Sequence, residues 1–180
     1  MPYVITFLVL LGVLSLFNLV LSLGLIRRLR EDTAKTAARS AGPPVMHAAG
    51  ERVGAFRATA TDGAMLSDAL LRGAPTLVGA FAQGCPECEE RLPLFAEYAA
   101  GFQGGPGHVV AVLVGDPDAL RDKIAMLEPV ARVVLEGKDG AVGSALGVRG
   151  YPAFGVLDDQ AVVQASGVLL EHITGKPVNV

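Results

Sequence analysis

Cys85 and Cys88 are the only cysteines in the 180 residues, and they stand three apart in Gly84-Cys85-Pro86-Glu87-Cys88-Glu89-Glu90. Two thiols at that spacing suit a dithiol that opens and closes by disulfide exchange. The apolar run Thr76-Leu77-Val78-Gly79-Ala80-Phe81-Ala82 precedes them and a helix-like segment from Glu89 to Ala100 follows. Cys85 is therefore expected where a buried strand hands over to a helix, the context in which such a pair reads as a redox motif. The free N–H groups and positive dipole end of a helix's first turn favour a thiolate over a thiol, which makes Cys85 the nucleophile. Pro86 suits the first helical position, where no N–H is needed.

Two other readings of the pair are weaker. A structural zinc site needs four ligands, but no second Cys pair exists, and His47, His108 and His172 are scattered. A purely structural disulfide would close too small a loop to stabilise much on the loop-entropy account.

The elements that must position the pair follow from the apolar pattern. Val53–Ala60 with the turn Thr61-Asp62-Gly63 predicts a small hairpin or extended entry, and Ser67–Leu71 a short helix with Ser67 as its N-cap. Strands are expected at 76–82, 109–114 and 132–135, and helices at 86–102, 118–127 and 141–146. A closing hairpin is expected from 153–157 and 161–165, turning at Asp158-Asp159. Val109–Val114 is apolar on both faces, as a strand covered by helices on both sides must be. The order predicts an α/β domain over 53–175, a mixed central sheet with helices on both faces.

Ahead of that domain, Tyr3–Ile26 contains no charged side chain. At about 1.5 Å per residue it is long enough to cross a hydrocarbon core of about 30 Å, so it is expected to be a transmembrane helix. A cleaved signal peptide is the rival, but the segment lacks a basic leader and its apolar core is too long. A juxtamembrane helix and linker are expected over 27–52, broken at Gly42-Pro43-Pro44.

Residues 1–40 carry five basic and two acidic side chains, whereas 41–180 carry ten basic and sixteen acidic. A domain of net charge −6 is a poor partner for nucleic acid. Arg27, Arg28, Arg30, Lys35 and Arg39 follow the span and argue by the positive-inside rule for a cytoplasmic domain. Persistent disulfide chemistry argues for the opposite, extracytoplasmic side, and that is the placement expected for this single-pass chain.

With the dithiol placed, Gly147-Val148-Arg149-Gly150-Tyr151-Pro152 resembles the loop that carries the cis-proline of thioredoxins. The chain resembles the thioredoxin superfamily over about residues 53–166, in particular the membrane-anchored TlpA-like thiol–disulfide oxidoreductases. The resemblance rests on the strand leading into Cys85-Pro86-Glu87-Cys88, on Pro93 eight residues past Cys85 where the family's active-site helix kinks, and on the Tyr151-Pro152 loop 67 residues downstream. It implies a thioredoxin-like fold, catalytic Cys85 and Cys88, and a cis Tyr151–Pro152 bond. Tyr151 and Pro152 would then bind an extended substrate, with Gly84, Pro86, Glu87 and Pro93 supporting the site.

Two departures stand out. Gly84 replaces the Trp that often precedes the family's first cysteine, and Gly79 stands where many members bury an Asp or Glu that accepts the second thiol's proton. Glu87 is a candidate to replace that acceptor through water.

The implied partners are disulfide- or dithiol-containing proteins and a separate electron donor or acceptor. Neither a cofactor nor a metal is implied. Two other functions compete. A peroxiredoxin-like peroxidase would need a Pro and a Thr or Ser shortly before the cysteine, and Phe81-Ala82-Gln83-Gly84 supplies neither. A non-enzymatic copper-delivery protein would need His108 or His172 beside the two thiolates.

Overall fold

A computed structural model describes residues 44–174 together with Tyr3, Phe7, Gly12 and Ser15. The chain divides into two compact units, Met1–Ser40 and Ala41–Val180. In the first, the four described residues are helical, and Tyr3 and Phe7 are exposed. The rest of the expected span 3–26, and the juxtamembrane helix after it, lie outside the described residues. Among the described residues no helix is long and apolar enough to cross a membrane.

The second unit opens with the hairpin β1 (Arg57–Thr59) and β2 (Met65–Ser67) and a 3₁₀ turn, Asp68–Leu71. There follow β3 (Thr76–Ala82), α1 (Pro86–Ala100), β4 (Val109–Val114), α2 (Arg121–Leu127), β5 (Arg132–Glu136) and α3 (Ala141–Ala145). The unit closes with β6 (Ala153–Leu157), β7 (Val163–Gly167) and the short helix α4 (Leu170–Thr174). The five main strands lie in the order β5-β4-β3-β6-β7, with β3, β4 and β5 parallel and β6 and β7 antiparallel. This is the expected mixed sheet.

Alternation along β3 sends Leu77 and Phe81 to one face and Val78 and Ala80 to the other, so each face builds its own core. On the first face lie Cys88, Leu92, Phe95 and Ala99 of α1, a stripe at helical spacing, together with Leu127 of α2 and Leu170 of α4. On the second lie Val142 and Ala145 of α3, Leu66, Leu71 and Met46. At about 25 cal/mol per Å² of apolar area removed from water, burial on both faces is what holds the helices against the sheet.

Several boundaries differ from expectation for local reasons. Ser67 does precede a helical turn, but its side chain makes no capping bond and the turn is 3₁₀. α2 starts at Arg121 rather than 118, because the Asp116 carboxylate binds the N–H groups of Asp118 and Ala119 and holds those residues in a turn. β7 starts at Val163 rather than 161, because the turn runs on through Ala161, at φ 59°, and the register shifts at Val156/Leu157. The expected linker to residue 52 ends early: Val45 and Met46 already pack on the core of the domain, and Met46 is 1% exposed.

Candidate active site

Cys85 caps α1, and Cys88 lies in its first turn. The two are joined as a disulfide with their Cα atoms 5.2 Å apart. Cys85 is half-buried and Cys88 fully buried. The backbone N–H of Cys88 donates to Cys85 Sγ at 3.1 Å. Once the disulfide opens, that N–H faces the sulfur that would carry negative charge, a short-range preference for the Cys85 thiolate that adds to the helix dipole.

Pro86 occupies the first turn as expected, and Pro93 lies inside α1 with no N–H to give the carbonyl of Glu89. Glu87 is exposed, with Oε2 4.0 Å from Cys85 Sγ. A disulfide sulfur has no proton to donate, so this is a contact rather than a hydrogen bond. Gly84 has φ 72°, a conformation that disfavours the larger residue the thioredoxin pattern often places there.

The sheet brings the second part of the site alongside. Ala80 of β3 pairs with Ala153 of β6, so Tyr151 and Pro152 run beside the end of β3 that leads into Cys85. The Tyr151–Pro152 bond is cis. Tyr151 and Cys85 both pack on the core that contains Cys88, and Pro152 is buried. Burial first, and then the negative charges of Glu136 and Asp139, hold the Tyr151 phenol above its ordinary value.

Behind the disulfide the site is apolar. A Cβ added at Gly79 would stand 2.7 Å from the Phe95 ring and 3.0 Å from that of Phe81. Phe81, Phe95 and Phe154 form a triangle of rings with centroids 5.4–5.8 Å apart. A carboxylate at position 79 would have no room beside these rings.

Three supporting interactions were not anticipated from sequence. Gln83 Oε1 accepts the N–H of Asp116 at 2.8 Å, tying the loop before Cys85 to the loop after β4. Lys123 of α2 pairs with Glu89 in the first turn of α1, so one of the carboxylates near the sulfurs is neutralised. Glu136 accepts the N–H groups of Val142 and Gly143 at 3.1 and 2.7 Å, anchoring the helix that leads into the Tyr151 loop. The signal for this last pair is readable afterwards: Gly140 and Gly143 lack the Cβ atoms that would crowd the Glu136 carboxyl group.

Other candidate chemistry is dispersed. His108 lies 3.5 Å from the Thr76 hydroxyl, at the far end of β3 from the cysteines. His172 sits against Gly167, and its Nδ1 has no hydrogen-bond partner among the described residues. Among the described residues no group of three His, Cys, Asp or Glu side chains could hold a metal ion. A cleft of about 550 Å³ lined by Pro75, Tyr98 and Phe102 also lies at the far end of β3, away from the disulfide.

The model of the AhpC/TSA family matches residues 49–169, more than half of the chain. Among solved structures, the thioredoxin domain of a thiol-disulfide oxidoreductase from Bacteroides vulgatus is similar with a TM-score of 0.58 at 19% identity, covering 72% of this chain and 94% of that one. A secreted Mycobacterium tuberculosis disulfide oxidoreductase, homologous to E. coli DsbE, gives a TM-score of 0.50 at 22% identity, covering 60% and 79%. A thiol:disulfide interchange protein of the thioredoxin family from Chlorobium tepidum TLS gives 0.52 at 20% identity, covering 71% and 88%. At these identities the structures show a shared thioredoxin-like fold. No curated protein matches the chain in sequence.

Proposed function

The chain belongs to the AhpC/TSA family, and on that premise we propose that it is a membrane-tethered, TlpA-like thiol–disulfide oxidoreductase acting on partner proteins. The observation that carries this reading is the Cys85–Cys88 disulfide at the tip of α1, one sulfur reachable and the other buried, beside the Tyr151–Pro152 loop.

In the reducing direction, the Cys85 thiolate attacks one sulfur of a partner's disulfide. That S–S bond breaks, its second sulfur leaves as a thiolate, and a mixed disulfide joins the partner to Cys85. Cys88 then gives its proton to water, with Glu87 nearest the exit, and attacks Cys85 Sγ. The mixed disulfide breaks, the partner departs as a dithiol after taking up two protons, and the chain is left oxidised. The reverse sequence oxidises a partner dithiol. A separate donor or acceptor restores the starting state. The backbone N–H and C=O of Tyr151 are offered to an extended partner segment, as at a sheet edge.

The peroxidase alternative draws no support from the residues before Cys85. Phe81-Ala82-Gln83-Gly84 contains neither the Pro nor the Thr or Ser that peroxide chemistry expects shortly before its cysteine.

Trapping tests the proposal. Cys88→Ser is expected to accumulate mixed disulfides that a reductant dissolves, and Cys85→Ser to accumulate none. Adducts formed through Cys88 alone would reverse the roles, and none from either variant would remove the reading.

A further inference from the structure

The segment from Pro44 to Gly54 does two separate things. Its later part covers an edge of the sheet: Gly50 N–H donates to the Val163 carbonyl at 2.8 Å and Val163 N–H to the Glu51 carbonyl at 2.9 Å. Covering an edge is an ordinary structural duty. Its earlier part bonds elsewhere, to the loop that runs into Tyr151 and Pro152. His47 N–H donates to the Leu146 carbonyl at 3.0 Å, and Arg149 N–H donates to the Val45 carbonyl at 2.7 Å. These two bonds bracket Gly147 and Val148.

The side chains reinforce the clasp. The His47 ring lies over Gly147, where an added Cβ would come within 2.6 Å of Nδ1, and φ 65° at that glycine turns the loop under the ring. His47 Nδ1 is also 3.2 Å from Glu51 Oε2. Val45 lies against Gly150, and Met46 is buried with its sulfur against Gly155 of β6. From the other side, the Ser166 hydroxyl of β7 donates to the His47 carbonyl at 2.8 Å. Three consecutive residues ahead of the sheet therefore fix the loop that faces the disulfide.

We propose that Val45, Met46 and His47 are positioning residues for disulfide exchange, holding the Gly147–Pro152 loop where a bound polypeptide can pair with it. This rests on the exchange reading of Cys85 and Cys88 given above. Loosening the clasp should leave the sulfurs in place and move the loop, so a substrate that needs only a sulfur should not notice and a substrate that lies along the loop should. Small misplacements of positioning groups are enough to slow a reaction severalfold or more.

The test uses the full chain, reduced, with two reagents that expel the same thionitrobenzoate anion when Cys85 attacks. One is 5,5′-dithiobis(2-nitrobenzoate), and the other a ten-residue peptide whose central cysteine carries the thionitrobenzoate mixed disulfide. Met46→Ala empties the buried anchor, and Ser166→Ala removes the outer bond to the His47 carbonyl while leaving Val45, Met46 and His47 themselves unchanged. For Met46→Ala the peptide rate is expected to fall about tenfold, and for Ser166→Ala about two- to threefold, with both small-reagent rates within about twofold of the parent. Equal losses on both reagents, or no loss on the peptide, would overturn the proposal. If Met46→Ala does not fold, the Ser166→Ala result decides alone. Failure of the underlying reading shows separately, as an absence of trapped partners with Cys88→Ser.

Discussion

Gly79 shows how one missing Cβ sets the chemistry open to Cys88. The three rings of Phe81, Phe95 and Phe154 occupy the volume behind the disulfide, and each is 1% exposed or less. An ionised carboxylate placed among them would lose its water and gain no partner. Gly79→Asp is therefore expected to cost more than about 4 kcal/mol of folding stability, against about 1–3 kcal/mol for the overpacking in Gly79→Ala. Denaturant unfolding of the two variants measures the difference. An aspartate tolerated at 79, with exchange through Cys88 accelerated, would show that the ring cluster opens to admit an acid.

At the scale of elements, one carboxylate organises the turn between the last two strands of the sheet. Asp158 closes the β6–β7 turn: its carboxylate accepts the N–H groups of Gln160 and Val162 and the Gln164 amide, all at 2.9 Å. The Val162 bond does most to hold its pKa below the ordinary aspartate value; desolvation opposes it as the next largest effect, and Gln160, Gln164 and Arg52 lower it further. Because the folded pKa is the lower one, this stabilisation is complete above about pH 4 and is lost as the pH falls through the folded value, where the folded carboxylate finally takes up a proton. Asp158→Asn has no charge to lose. The variant is expected to unfold at lower temperature than the parent at neutral pH, and the gap to close as the pH falls below about 4; thermal unfolding across pH checks it. A gap independent of pH would mean that the carboxylate's charge does nothing in the turn.

The same turn explains a limit of the sequence. Asp158-Asp159 marked where the chain reverses, but the left-handed Ala161 and the register shift beside it left no compositional trace, so β7 begins two residues late. Strands β3 and β4 were readable to the residue, because burial on both faces leaves an unbroken apolar run. Cys85 and Cys88 were readable because they are the chain's only cysteines, and the Tyr151-Pro152 loop only through its resemblance to the cis-proline loop of thioredoxins. Gln83, Lys123 and Glu136 were not, since polar residues that support a site by reaching a distant backbone or charge look like any surface residue until the fold brings their partners near. Val45-Met46 was hidden by its neighbours: two prolines and a glycine announced a linker, and only the buried sulfur shows that the domain had already begun.

For the whole molecule, if Tyr3–Ile26 tethers the chain as proposed, the side of the membrane decides what the dithiol can be used for. An apolar stretch of 24 residues, Tyr3–Ile26, would span about 36 Å as a helix. The five basic residues that follow it would hold the domain inside, whereas a disulfide that persists without a dedicated oxidant belongs outside. A glutathione pool keeps an exposed cytosolic pair reduced, and exchange there would serve a transient cycle. Outside, the oxidised pair is the resting form, and reduction needs an electron supply that crosses the membrane. We propose the outer placement. Cys88→Ser leaves Cys85 as the one thiol of the chain, so a membrane-impermeant maleimide reports its side directly once any mixed disulfide has been reduced. Labelling of intact cells equal to that of permeabilised cells is the expected result. Labelling only after permeabilisation would place the domain in the cytoplasm, and the basic residues after the span would then have set the topology.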